Sequence, residues 1–587
     1  MDQTQARGWP VLIRLLRRFL RPYAGKASIV LVLLTVLAVG SLYLPNLNAE
    51  LINNGVVKGN LGYIWKTGAI MLGVVLVLAV VSIVAVYHAS RVSTAVAADL
   101  RAAIYQRVQA FSGREMSRFG IASLITRNIN DTDQIEMFLE NAFAQLVVAV
   151  IVSVGGMVLA VREGPALSLL LLVAIPVMAL IIGVTLVMAV PLFRSFQGKL
   201  DRMNQVMREQ ITGARVIRAF QRTGFEQGRF REVNEDLTGT GLRIGQIIAV
   251  GLPLLVLVFN LSGVGIVWFG GRLVSEGSMP IGNMTAFLIY ILQILMYVLV
   301  AVTVLLQVPR AVACAERITQ VLETVPAVTD AACPVSPARI TGTVEFRHLT
   351  FGYPGSERPV LNDLTFALQP GRTHAIIGGT GSGKSTLIHL ILRFFDATGG
   401  AVLVDGADVR EQSGGRLRAT IGLVPQAAFL FAGTVASNLR FGLPGATDEQ
   451  LWHALDVAQA LDFVASMPGQ LEARIEQGGS NVSGGQRQRL SIARALVRRP
   501  SLYLFDDCFS ALDAATDARL RFALRAETGQ ATVVIATQRA STIMHADQII
   551  VLDAGKVVGM GTHEQLLTGR GPYREIVASQ LGEGAAA

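Results

Sequence analysis

GGTGSGKST (residues 378–386) and, further on, VSGGQRQRL (residues 482–490) decide how the second half of this chain is read. The first stretch fits G-x-x-x-x-G-K-S. It follows the apolar, strand-like run THAIIG and precedes the helical run TLIHLILRFF, the strand–loop–helix setting that a phosphate-cradling loop needs. Gly378, Gly379, Gly381 and Gly383, interspersed with Thr380 and Ser382 and followed by Thr386, let backbone N–H groups turn inward on phosphates. The start of the helix adds positive potential. Lys384 is placed to reach the β- and γ-phosphates, and Ser385 to ligate Mg²⁺. The apolar run SLYLF then ends in Asp506, which a buried strand delivers to the same metal. ATP and Mg²⁺ are the ligands these residues imply.

The first half has a different character. At 587 residues the chain is too long for one domain, and its 52% hydrophobic content and mean hydropathy of +0.49 are high for a soluble enzyme. The apolar residues concentrate before about Val308 in six runs, at 28–49, 65–90, 145–161, 166–193, 244–269 and 283–308. Most approach or exceed the roughly 20 residues that cross a bilayer. The third is short, so its helix is expected to begin near Glu140. The net charge of +9 sits largely on segments joining these runs: Arg14, Arg17, Arg18 and Arg21, then Arg208, Arg215, Arg218, Arg222, Arg229 and Arg231. That is the basic bias of cytoplasmic loops. A nucleic-acid partner is excluded because no basic–aromatic groove pattern accompanies the charge. The three cysteines, Cys314, Cys333 and Cys508, lack metal-ligand spacing and suit a reducing cytosol.

The organisation that follows is a cytoplasmic N-terminus with an amphipathic helix lying on the membrane surface (1–27), a membrane domain of six α-helical spans (28–323), a linker (324–341), an α/β domain (342–580) and a tail (581–587). Even parity puts both termini on the cytoplasmic side. Outer links are short, whereas 91–144 and 194–243 are long, charged and helix-patterned. Within the spans, His88, Asn260, Ser262 and Gln293, with Phe287, Tyr290 and Met296, fit either a cavity lining for an amphipathic cargo or ordinary packing between helices. Pro45, Pro176 and Pro253 fit kinks.

The 482–486 stretch VSGGQ resembles the signature of ATP-binding-cassette (ABC) proteins. Its companions stand in the expected order. Tyr353 resembles the aromatic that stacks on adenine, Gln426 the glutamine that senses metal and attacking water, and SALD (510–513), ending in Asp513, the loop between two nucleotide sites. Six spans ahead of one such domain resemble the exporter-type ABC half-transporters over essentially the whole chain. Residues 118–135 resemble the first coupling helix, and 212–226 the region after the second. The resemblance implies a dimer in which each ATP is sandwiched between one chain's phosphate loop and the other's signature, here Ser483, Gly484, Gly485 and Gln486.

Two positions of this chain's own site depart from the family. Asp507 stands where a Glu would polarise the attacking water, and Gln538 where a His would contact the γ-phosphate; Gln477 also replaces a loop glutamate. ATP binding is expected to survive and hydrolysis to be slow. The resemblance then points to the degenerate-site subunit of a heterodimeric transporter with a second half-transporter as partner. The setting is a bacterial inner membrane, with a lipid-like, hydrophobic or amphipathic substrate. A homodimer with two slow sites, an importer of exporter fold and a nucleotide-gated channel remain alternatives.

Overall fold

In the computed structural model, residues 3–569 and 571–581 are described; the expected tail from 582 on, with residues 1, 2 and 570, lies outside them. The chain divides into two compact units, one formed by residues 1–107 and 122–323, the other by 108–121 together with 324–587.

The first unit is helical. Helix α1 (Gln3–Leu20) buries Leu12 and Leu15, leaves Arg14, Arg17 and Arg18 exposed and packs against α10 (Val308–Glu323). The spans belong to α2 (Ala24–Glu50), α3 (Leu61–Gln109), α5 (Ile121–Glu163), α6 (Leu169–Thr212), α8 (Thr223–Ser275) and α9 (Ile281–Leu305). Their most apolar stretches have mean hydropathies of 2.4 to 3.1. Six helices long and apolar enough to cross a membrane make this an integral membrane protein. At 1.5 Å per residue α3 is about 70 Å long, more than twice the roughly 30 Å hydrocarbon core. The long basic links are therefore continuations of the spans, and the third span begins at Ile121, well before its apolar run. Short π-helical turns at Arg127–Asp131 and Ala142–Leu146 carry α5 through its polar stretch.

Helices α2, α5 and α9 pack on one another, as do α6 and α8. Phe287 and Tyr290 are fully buried, and the Tyr290 hydroxyl donates to the Leu42 carbonyl at 2.9 Å. These two are packing residues. Asn260 donates to Val256 one turn back, yet also lines a cavity of about 600 Å³ between α8 and α9. Pro45, Pro176 and Pro253 all sit inside unbroken helices.

Helix α4 (Gly113–Phe119) belongs to the second unit. Ser112 and Glu115 form a capping box that starts it, and Gly120, at φ +74°, ends it. A Cβ on Gly113 would meet the Phe395 ring at 2.5 Å, and Glu115 accepts from the Ala327 amide at 3.2 Å. The helix that groups with the α/β domain thus overlaps the start of the 118–135 stretch at Arg118 and Phe119, with its capping signal and the ring-sized gap at 112–115.

The rest of that unit contains an antiparallel sheet in the order β2-β1-β4-β5, made of β1 (Val344–Phe351), β2 (Leu361–Leu368), β4 (Gly399–Val404) and β5 (Ala407–Asp408). Strands β7 (Gly433–Thr434) and β8 (Arg474–Ile475) pair with each other, and a six-stranded sheet runs β12-β11-β3-β10-β9-β6. Its members are β3 (Thr373–Ile377), β6 (Ile421–Val424), β9 (Leu502–Asp506), β10 (Thr532–Thr537), β11 (Gln548–Asp553) and β12 (Lys556–Gly561), all parallel except β12. Period-one apolar runs such as LYLFD and TVVIAT are buried on both faces, as a covered parallel sheet requires.

In the first unit, the Asp131 side chain is 3% exposed and pairs with Arg317 at 2.5 Å. Arg317→Ala should cost about 1–3 kcal/mol by removing the ion-pair partner of that buried carboxylate. The check is thermal unfolding of the purified protein, where an unchanged Tm contradicts it.

Candidate functional site

Parallel pairing aligns the carboxyl ends of four strands. Ile377 is opposite Thr537, Ala536 opposite Asp506 and Phe505 opposite Val424. The segments leaving those ends are the phosphate loop, the Asp506–Asp507 pair, the Gln538 loop and Gln426. Loops at this edge are where open parallel sheets bind ligands.

The phosphate loop needs its glycines. Gly381 and Gly383 have φ of +81° and +104°, and a Cβ on Gly378 would strike the Leu552 carbonyl at 2.2 Å. Helix α11 (Lys384–Ile391) starts at the loop's end. Lys384 is 8% exposed and donates to the carbonyls of Gly378 (2.9 Å) and Gly379 (2.8 Å), with the Ser382 hydroxyl at 3.4 Å. Burial lowers its pKa, while Asp507 and Asp506 pull the other way. The ammonium is thus held over the loop's hollow, its donors ready to exchange carbonyls for phosphate oxygens. Thr380 reaches out of the loop to the Gln538 side-chain oxygen at 3.4 Å.

Ser385 donates to Asp506 at 2.9 Å. Burial raises the Asp506 carboxyl's pKa, a shift opposed by that hydrogen bond. A hydroxyl and a partly desolvated carboxylate facing one another are a hard-oxygen donor pair of the kind Mg²⁺ takes. The residues present therefore fit the ion. Gln426 is exposed and makes no hydrogen bond among the described residues.

Asp507 takes a left-handed conformation, φ +43°, with its amide donating to Ala536 at 2.8 Å. Asp tolerates this region better than most residues. Its carboxylate accepts from Thr537 at 3.3 Å, and its carbonyl accepts from Ser510 at 2.8 Å. Gln538 is exposed, and its carbonyl accepts from Gln580 at 2.8 Å; the Gln580 side-chain oxygen accepts from the Ala540 amide at 2.8 Å. Sequence reasoning missed Thr537 and Gln580. Gln580 lies on α15 (Pro572–Leu581), in a helix with no motif to mark it.

Tyr353 is 36% exposed, its hydroxyl 3.1 Å from that of Thr386 and its ring set edge-on to Phe395 at 5.4 Å. An open aromatic face beside the phosphate loop suits a purine. Phe395, the ring that braces it, also went unremarked in the sequence.

Ser483 caps α12 (Gly484–Val497), accepting from the Gln486 amide at 3.3 Å, while the Gln486 side chain accepts from the Ser483 amide at 2.9 Å. Ser483 and Gly484 are exposed, and Gly485 and Gln486 half-buried, so a helix start with free N–H groups faces outward. Asp513 caps α13 (Ala514–Glu527) through the Thr516 amide at 2.9 Å, contacts that lower its pKa. Gln477 is exposed; the carboxylate before it, Glu476, accepts from Ser480 at 2.8 Å. The structure thus gathers the phosphate loop, Asp506, Asp507, Gln538 and Tyr353 at one place. The hydrogen bonds of Ser483 and Gln486 join those two residues to each other.

Residues 28–298 match the family described as ABC transporter transmembrane region, and residues 361–510 match that described as ABC transporter. The chain is 46% identical over 574 residues to an uncharacterized ABC transporter ATP-binding protein of Mycobacterium tuberculosis, covering 97% of this chain and 98% of that one. It is 33% identical over 454 residues to a "Fatty acid ABC transporter ATP-binding/permease protein" of Mycobacterium bovis, covering 77% and 71%. Among solved structures it resembles a bacterial Atm1-family ABC exporter with ATP bound, at a TM-score of 0.79 and 22% identity over 96% of this chain and 99% of that one.

Tyr353→Ala should weaken ATP binding by about 1–3 kcal/mol through lost stacking, read by calorimetric titration. An unchanged Kd would show that the ring does not hold the base.

Proposed function

The chain belongs to the ABC transporter family and is built as an exporter-type half-transporter, and we propose that it is the slow-site subunit of a heterodimer that drives a hydrophobic or amphipathic substrate across a bacterial inner membrane. One contrast carries this reading: the groups that grip nucleotide are present, while the two that activate water are replaced. Lys384, Ser385, Asp506 and Tyr353 are positioned to bind MgATP, the ion screening phosphate charge when bound. Asp507 is one methylene shorter than Glu and is tied to Thr537. A misplacement near 1 Å costs about 10²-fold in rate. Gln538 offers an amide that neither gains nor loses a proton at neutral pH, so it cannot act as an imidazole does.

The outward-facing signature helix supports a second cassette as the completing surface, since its N–H groups suit a phosphate brought from outside the chain. Exposed apolar residues support a partner elsewhere: Val216 on α7 (Ala214–Ala219) is 60% exposed, and Phe220, just after it, 74%. Such side chains clustered on a polar segment mark a contact surface. ATP-driven closure of paired cassettes would then switch the spans between inward- and outward-open states. The basic links support a cytoplasmic position for the cassette and the termini. A hydrophobic cargo fits spans lined by apolar and aromatic groups, and one relative bears the name of a fatty acid transporter.

The test is steady-state ATPase of the complex purified with its partner. Asp507→Asn should leave most of the turnover, while replacing the carboxylate that follows the partner's own metal aspartate should remove about 99% of it. Loss with the first change and not the second overturns the asymmetric scheme.

A further inference from the structure

Behind the catalytic loops the cassette holds a cavity of about 300 Å³. Phe505 of β9 and Val533 and Ile535 of β10 form its floor; Phe509, Leu524 of α13 and Ile543 of α14 (Ala540–Ile543) stand around it. It lies on the sheet face away from α11, because Leu387 and Ile388 pack with Ile376, Leu504 and Val534, the alternate residues of the same strands. The cavity therefore touches the carriers of Asp507 and Gln538 without touching the helix of Lys384. Phe505 precedes Asp506, Phe509 lies between Asp507 and Ser510, and α14 begins two residues beyond Gln538.

A void of this size forfeits dispersion contacts on every wall. Water fills such a space well only where several polar partners converge, and here most of the lining is apolar. The charged part of the lining has one sign, Arg521 and Arg525, with no carboxylate among the lining residues. Arg521 is committed, donating to the carbonyls of Ser541 and Thr542 at 3.1 Å each and pairing with Asp517 at 3.1 Å, yet its Nε is buried without a partner. Arg525 has no partner among the described residues, and Phe522 stands 82% exposed beside it. An apolar chamber with a few convergent polar groups has the make-up of a small-molecule site.

We propose that this cavity binds a small amphipathic carboxylate, its apolar body between the sheet and α13 and its anionic head on Arg525, and that occupancy slows hydrolysis. The ligand bridges α13 and α14, which Arg521 already ties together, and so restrains the loops of Asp507 and Gln538. ATP affinity is untouched because the phosphate loop is on the other face.

The experiment uses the full-length transporter in lipid discs, with octanoate as probe and octanol as its uncharged counterpart. The F522W variant reports occupancy by its fluorescence change relative to the unsubstituted protein. Octanoate should give a saturable change and octanol bind at least about tenfold more weakly. Adding R525Q should bring octanoate to the octanol level. Octanoate should slow diphosphate formation on this chain about fivefold, read with photoreactive α-labelled ATP, at unchanged ATP affinity, and A518F, which fills the chamber from α13, should abolish that inhibition while keeping the basal rate and Tm. A linear, unsaturable signal, equal binding of octanol, or octanoate affinity unaffected by R525Q overturns the site. Saturable binding with that rate unchanged overturns its control of hydrolysis.

Discussion

Parallel pairing of β3, β10, β9 and β6 is the constraint on which the rest depends. A parallel ladder fixes register as well as direction, so four segments far apart in sequence emerge at one edge of the sheet. The pairing is stable because both faces are covered by separate apolar clusters. A one-residue slip would turn each strand's face over and strand both clusters. Lys384, Ser385 and Asp506 meet because the strands allow no other arrangement.

Within that frame the two unusual residues are held firmly. Thr537 engages the Asp507 carboxylate, and Gln538 is bound through its carbonyl by Gln580 and through its side chain by Thr380. Chemistry and placement thus act together. On the proposed reading the site would keep the interactions that bind phosphate and lack the carboxylate reach and the titratable ring that activate water. The signature lies on a helix whose first residues, Ser483 and Gly484, are exposed, as the proposed pairing with a second cassette requires.

Much of this was legible in the sequence because its signals are local. Six apolar runs gave six spans, and the glycine spacing of 378–383 reflects φ values and close approaches that only glycine tolerates. The reading weakened where helices outran their apolar stretches: α5 begins at Ile121 because polar π-helical turns carry it where hydropathy shows nothing. The grouping of residues 113–119 with the α/β domain was not legible, because it rests on a capping box and a glycine against a ring, neither of which stands out without the Phe395 partner. Tyr290 and Phe287 are packing residues, since the residue type at a position in a span says nothing of which way it faces. Thr537, Gln580 and the cavity behind β9 are products of tertiary contact alone.

The central claim is that this chain's site holds ATP without readily cleaving it. The direct measurement is the identity of the nucleotide bound to each chain after the complex has turned over with photoreactive, α-labelled ATP and Mg²⁺ and been cross-linked. Label retained on this chain as triphosphate, with diphosphate on its partner, is the expected result. Diphosphate appearing on this chain as fast as on the partner would contradict it.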